Sequence, residues 1–191
     1  MRLKEEMLTN KMEGLSTEVS LLDQNVKDLT KVQEIFNVVG VLAQAEVKDI
    51  IEHLVTDALQ FVFGEEYGFV IENQISRNQP ESHFYVSKGT QRFSLREELG
   101  GGVVDVVSFA LRFVCWAIQI DRTEPIMFFD EPLKYVDKER LPLLQHMIKE
   151  MTTLLNVQTI MVTHEQGLVD VADTCYLVTQ DGSVSSVEKI K

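Results

Sequence analysis

Two adjacent carboxylates, Asp130 and Glu131, close the apolar run Ile126 to Phe129, and a further one, Asp137, follows six positions after Glu131. A buried strand ending this way carries its carboxylates past its C-terminal edge, where the Mg²⁺ of a bound nucleotide would sit. Taken alone, the run also fits a core strand that ends in a solvated acidic turn. Two other segments offer matching chemistry. Gly100, Gly101 and Gly102 open a strongly apolar helix, so free backbone N–H groups and the positive end of the helix dipole would face an anion. Without side chains, a phosphate can approach that backbone closely. A triple glycine in isolation reads better as a flexible turn. His164 follows the apolar strand Thr159 to Val162. A lone histidine there reads first as a satisfied cap or core residue.

The elements that must position these residues follow from periodicity. Leu8, Met12, Leu15, Val19, Leu22, Val26 and Leu29 alternate spacings of four and three, continuing weakly to Gln33 and Phe36. That narrow seam predicts a coiled-coil stub over residues 1–36, a rod roughly 40 Å long. An amphipathic helix lying on the domain's own core is the alternative. No second heptad run follows, so the seam's partner is expected from elsewhere. Val47 to Phe63 predicts a broader apolar helix. Strands are predicted at Gly68 to Ile75, His83 to Ser87 and Gln91 to Leu95, with a polar loop from Ser76 to Ser82 and a hairpin turn at Lys88-Gly89-Thr90. A helix is predicted from the glycines to about Ile120, then the strand ending at Asp130 and a helix from about Lys138 to Leu155. Val157 to Thr163 predicts a strand, Glu165 to Val171 a short helix, and Thr174 to Thr179 a strand. Asp181-Gly182 turns the chain into a last strand, Ser183 to Val187. Strand, helix, strand, helix, strand is α/β organisation with a parallel sheet, whose C-terminal strand ends gather the site.

Composition bounds the reading. The 191 residues are 45% apolar and 25% charged, as in a globular domain with a sizeable core. A net charge of −12, from 30 acidic and 18 basic residues, argues against a chain sheathed in nucleic acid. It leaves room for a local basic patch or a basic partner. The two cysteines, Cys115 and Cys175, lie far apart in apolar stretches without zinc spacing, as buried thiols in a reducing compartment would. No run of about 18 apolar residues exists, and the N-terminus lacks a signal-peptide segment, so a cytoplasmic chain is expected. His53, His83 and His146 read as structural or surface residues, and Phe109, Phe113 and Trp116 as core. Arg112 fits either a lobe interface, coupling nucleotide to the coils, or a surface salt bridge.

Glu98 to Arg112 (ELGGGVVDVVSFALR), Ile126 to Asp137 (IMFFDEPLKYVD) and Thr159 to Glu165 (TIMVTHE) resemble, in order and spacing, the signature motif, Walker B strand with D-loop, and H-loop histidine of ABC-type ATPases. With the heptad stub, the hairpin before the signature and Arg112 thirteen residues past Leu99, the chain looks most like the C-terminal lobe of an SMC or SbcC-type head. That is the chromosome-maintenance and DNA-repair branch rather than the transporter branch. The motifs cover residues 90 to 185. The resemblance implies an α/β fold, the C-terminal half of a P-loop ABC-type ATPase head over residues 37–191. It implies ATP and Mg²⁺ as cofactors, with Asp130 meeting the metal through water, Glu131 as general base and His164 bonding the γ-phosphate. Gly100, Gly101, Gly102 and Asp137 would serve nucleotide held by the opposite subunit of a head-to-head homodimer. A nuclease subunit and DNA, reached through the assembled complex, are implied partners; a membrane is not.

Two departures limit this. None of the ten glycines precedes a lysine, so no Walker A motif can be written, and the Q-loop is missing with it. An N-terminal Walker A lobe, from the same gene or a separate chain, is therefore expected to supply the phosphate cradle. Within the signature, Gly100 replaces the usual serine and Val103 the polar fifth position. The lost side-chain hydrogen bond to a charged phosphate is worth roughly 1.5–3 kcal/mol. Glycine-rich signatures of this kind resemble phage or mobile-element members. Two functions compete: an ATP-hydrolysing DNA-repair or recombination machine, and a nucleotide-gated clamp or tether with little turnover.

Overall fold

The computed structural model describes residues 2–76, 79–95 and 99–191. Glu98 and the side chain of Leu8 lie outside them. Helix α1 runs unbroken from Arg2 to Phe63, joining the predicted stub and the predicted second helix through residues 37–46. The chain divides into two compact units, Met1–Val47 and Lys48–Lys191. In the first, Met12, Leu15, Val19, Leu22, Val26, Leu29 and Phe36 are all exposed. The stripe therefore rests on no core of its own.

The second unit opens with the last turns of α1, where Val55, Leu59 and Val62 are fully buried at helical spacing. Strands β1 (Tyr67–Ser76), β2 (Gln79–Lys88) and β3 (Gln91–Ser94) form an antiparallel sheet in that order. The expected polar loop is mostly strand: β2 begins at Gln79, and pairing continues to Ser76 opposite Gln79. Pro80 sits in this stretch because β3 pairs only with Tyr85 to Lys88, leaving the start of β2 an edge that tolerates a missing donor. Gly89, with φ 57°, makes the β2–β3 turn in the left-handed region.

Helix α2 (Gly101–Ala117) follows, buried through Val103, Val106, Val107, Phe109, Ala110, Phe113 and Val114. Cys115 falls on its other face and is exposed, while Cys175 is half-buried, so neither is the buried thiol expected. Strand β4 (Ile126–Asp130) pairs in parallel with β5 (Gln158–Val162), connected through a 3₁₀ turn (Lys138–Arg140) and helix α3 (Leu141–Leu155). After α4 (Gln166–Val171), β6 (Tyr176–Asp181) pairs antiparallel with β7 (Val184–Lys189) alone. The expected third parallel strand is thus not in the β4–β5 sheet. Among the described residues, no strand lies against the outer edge of β5 to carry the ladder on to β6.

One apolar core ties α1, β1, β2, α2, Phe129, Leu133 and α3 together. Phe129 anchors it, 4.7 Å from the Phe109 ring and 5.7 Å from the Phe113 ring. The alternate residues of the parallel pair face the other way. Ile126, Phe128, Ile160 and Val162 are exposed, Phe128 by 70%.

Candidate active site at the ends of the parallel strands

Parallel pairing in register Asp130–Val162 brings the ends of β4 and β5 level, so the residues just beyond each become neighbours. The Glu131 N–H donates to the Val162 carbonyl at 2.8 Å, extending the ladder by one step. His164 Nε2 then lies 3.2 Å from Glu131 Oε1. The carboxylate is three-quarters buried, with 23% of its side chain exposed, whereas the imidazole is 93% exposed. A sheltered acid and an open histidine thus meet where a third group could bridge them. Asp130 ends β4 beside them, with its residue exposed. Among the described residues, no three potential ligand side chains converge on one point. Asp130 supplies a hard oxygen at a strand end, the donor type that suits Mg²⁺.

The turn after Glu131 is unusual backbone. Glu131 has φ 46° and Leu133 φ 63°, both left-handed without being glycine, on either side of Pro132. Each such residue costs of order 1–3 kcal/mol and persists only where its surroundings over-determine it. The surroundings here are explicit. Leu133 is buried in the core, and Tyr135 N–H donates to Asp105 Oδ2 on α2 at 2.8 Å.

The glycines meet the far end of that turn. A Cβ on Gly102 would lie 2.8 Å from the Tyr135 carbonyl oxygen and 3.1 Å from Val136 Cα, and one on Gly101 would lie 2.9 Å from Tyr135 Cβ. Gly101 and Gly102 are thus required by close packing, which a merely flexible turn would not need. Gly100 differs: nothing stands within 4 Å of its added Cβ. It caps α2 without a side-chain hydrogen bond, so the first N–H groups of the helix stay available. Gly100, Gly101, Gly102 and Asp137 line one cavity of about 390 Å³, together with Lys88 and Arg140. Hydrogen bonding to Tyr67, and then to Glu66, raises the Lys88 pKa and so favours its charged form.

Asp130 and Glu131 line a separate cavity of about 160 Å³ with Asp105 and Arg112. The predicted residues therefore fall into two groups: Asp130, Glu131 and His164 at the strand ends, and the glycines with Asp137 at the start of α2. Arg112 lies over the Phe129 ring at 5.3 Å from its centroid and, among the described residues, makes no ion pair. His53 pairs with Asp57 and His146 stacks on Phe61, away from both groups. Asp105, Lys88 and Arg140 escaped sequence reasoning. Only Asp105 carried a signal, as a lone carboxylate inside the apolar run Val103 to Val107.

No protein-family model matches the chain. Among curated proteins it is similar to the DNA double-strand break repair Rad50 ATPase of Methanocaldococcus jannaschii, 32% identical over 92 residues, covering 48% of this chain and 9% of that protein. It is also similar to the Rad50 ATPase of Archaeoglobus fulgidus, 25% identical over 177 residues, covering 87% of this chain and 19% of that one. The chain thus spans under a fifth of the length of either relative. In fold it matches the Smc head domain with a coiled coil and joint from Pyrococcus yayanosii, with a TM-score of 0.65 and 14% identity over 87% of this chain and 31% of that one. A chain from work on ATP-driven dimerization and DNA-stimulated activation of SMC ATPases aligns with a TM-score of 0.62 and 15% identity, covering 78% of this chain and 88% of that one. Rad50 relatives in sequence and SMC head neighbours in fold are consistent with the C-terminal lobe of an SMC/Rad50-type ABC ATPase head.

Proposed function

We propose that this chain is the C-terminal lobe of an ATP-hydrolysing, SMC/Rad50-like head acting in DNA repair or recombination, and that it completes its catalytic site with an N-terminal Walker A lobe. The observation that carries this reading is the 3.2 Å approach of His164 to a sheltered Glu131 at the C-terminal ends of two parallel strands. Glu131 takes a proton from the attacking water as the water oxygen bonds to the γ-phosphorus and the bond to the bridging oxygen breaks. His164, open to solvent, donates to a γ-phosphate oxygen and orients it. Asp130 would hold Mg²⁺ through water, and the ion would supply neutralisation of charge on the phosphates. Gly100, Gly101, Gly102 and Asp137 face nucleotide held by a second head, which accounts for their standing in a cavity apart from Glu131.

The need for another lobe has its own support. The exposed face of β4–β5 and the unpaired outer edge of β5 lack the strand and helix that the fold's parallel sheet calls for. Residues 1–36 would pair as a coiled coil through their exposed seam, with residues 37–191 forming the lobe. No helix among the described residues is long and apolar enough to cross a membrane, and a cytoplasmic setting suits the reading. DNA and a nuclease would be met through the assembled complex.

Gly100 in place of serine favours a second reading, a nucleotide-gated clamp with little turnover. Phosphate release by this chain combined with its Walker A lobe separates the two. The ATPase reading expects turnover that Glu131→Gln lowers about 10²–10⁴-fold while head dimers accumulate with ATP. Undiminished turnover in that variant would remove Glu131 from its role, and no turnover in the parent complex would favour the clamp.

A further inference from the structure

We propose that Asp105 is a positioning residue for the catalytic turn, the side chain through which the glycine-rich helix start fixes the backbone that bears Glu131 and Asp137. This rests on the ATPase reading above. The turn from Glu131 to Asp137 is built against its own preferences, with left-handed Glu131 and Leu133 flanking Pro132. It must be held from outside, and three residues in the first turn and a half of α2 do so. Gly101 and Gly102 meet Tyr135 and Val136 at distances that admit no Cβ, and Asp105 accepts the Tyr135 N–H at 2.8 Å. The glycine contacts are steric and permissive: they let the turn come close without pulling it there. The Asp105 hydrogen bond is the directional member of the set.

Asp105 also lines the smaller cavity together with Asp130, Glu131, Pro132 and Leu133. Its place in the helix makes the link mechanical. Asp105 stands one turn beyond Gly101, so any shift of the glycines on meeting a phosphate moves the Asp105 carboxylate with the same rigid turn. That carboxylate in turn holds the backbone of Tyr135, which lies between Glu131 and Asp137. Engagement of nucleotide by the glycines of one site is thereby transmitted to the general base of the other, which lies in a different cavity. Apolar packing also joins the turn to α2 through Leu133 in their shared core, and the Asp105 bond adds direction at the exposed Tyr135.

The role requires an acceptor at this position and no negative charge as such. Asp105→Asn keeps an acceptor oxygen, and Asp105→Ala removes it. In the complex with the Walker A lobe, Asp105→Ala is expected to lower kcat about 10- to 100-fold with KM for ATP little changed, as for a misplaced catalytic group. Asp105→Asn should restore most of that loss. In the chain alone, hydrogen exchange at the Tyr135 amide should speed up in Asp105→Ala and return to the parent rate in Asp105→Asn. Parent turnover that Asp105→Ala leaves unchanged overturns the proposal, as does an alanine variant that raises KM alone. Equal loss in both variants overturns it too, by making charge the operative property. A parent complex without turnover defeats the ATPase reading, and the exchange rates then decide the hydrogen-bond role separately.

Discussion

The two faces of the β4–β5 pair are made of the same kinds of residue and meet opposite fates. On one, Phe129 is 4% exposed and is boxed in by Phe109 and Phe113 from α2. On the other, Phe128 is 70% exposed, with Ile126, Ile160 and Val162 beside it. Hydrophobicity alone does not separate the two sets; strand alternation does, by sending consecutive side chains to opposite sides. What differs is supply. Among the described residues, α2 covers one face and no helix covers the other. The proposed catalytic pair, Glu131 and His164, stands at the C-terminal ends of these same strands, one face of which is covered and the other open.

The sharpest break of this comparison is thermodynamic. Phe113→Ala, at a fully buried position, should cost about 3–5 kcal/mol in urea unfolding of the chain. Phe128→Ser should stay within about 0.5 kcal/mol of the parent, yet weaken association with the Walker A lobe. Equal destabilisation by both would mean that the second face is covered within this chain after all. Next comes Gly102→Ala, whose new methyl meets backbone that cannot rotate aside; about 1–3 kcal/mol of destabilisation is expected by thermal melting, as for overpacking. Gly100→Ala, where nothing stands nearby, serves as its control and should melt within roughly 0.5 kcal/mol of the parent. The smallest stability effect belongs to His164→Ala. An imidazole this exposed contributes about 0–1 kcal/mol through its carboxylate contact, so the melt should barely move while turnover of the assembled complex falls.

Legibility followed distance along the chain and the presence of a partner. The β4 and β5 strands were readable because apolar runs, a following carboxylate pair and a following histidine are local features. Their meeting at 3.2 Å follows from parallel pairing in register. Gln79 to Ser82 read as loop because polar residues and Pro80 carry no apolar alternation, and an edge strand needs none. The placement of β6 failed for a different reason. Strand propensity is written in Tyr176 to Thr179, but a strand's neighbour is set by whichever edge is present to receive it. Asp105 was unreadable in its role because its acceptor serves a backbone N–H thirty residues away. No pattern of residue types announces a bond made to backbone.

The open edge of β5 and the isolated β6–β7 hairpin also bear on how such a protein must be made and kept. An unpaired strand edge beside exposed phenylalanine and valine offers its free N–H and C=O groups to any extended segment, including one from another copy. Every position of β6 and β7 is exposed, so that hairpin has no buried face to hold it in register. If the proposed Walker A lobe covers these surfaces, the chain should behave best when synthesised alongside it, and become prone to self-association at high concentration without it. A surface shaped for one companion would, until that companion arrived, need a chaperone.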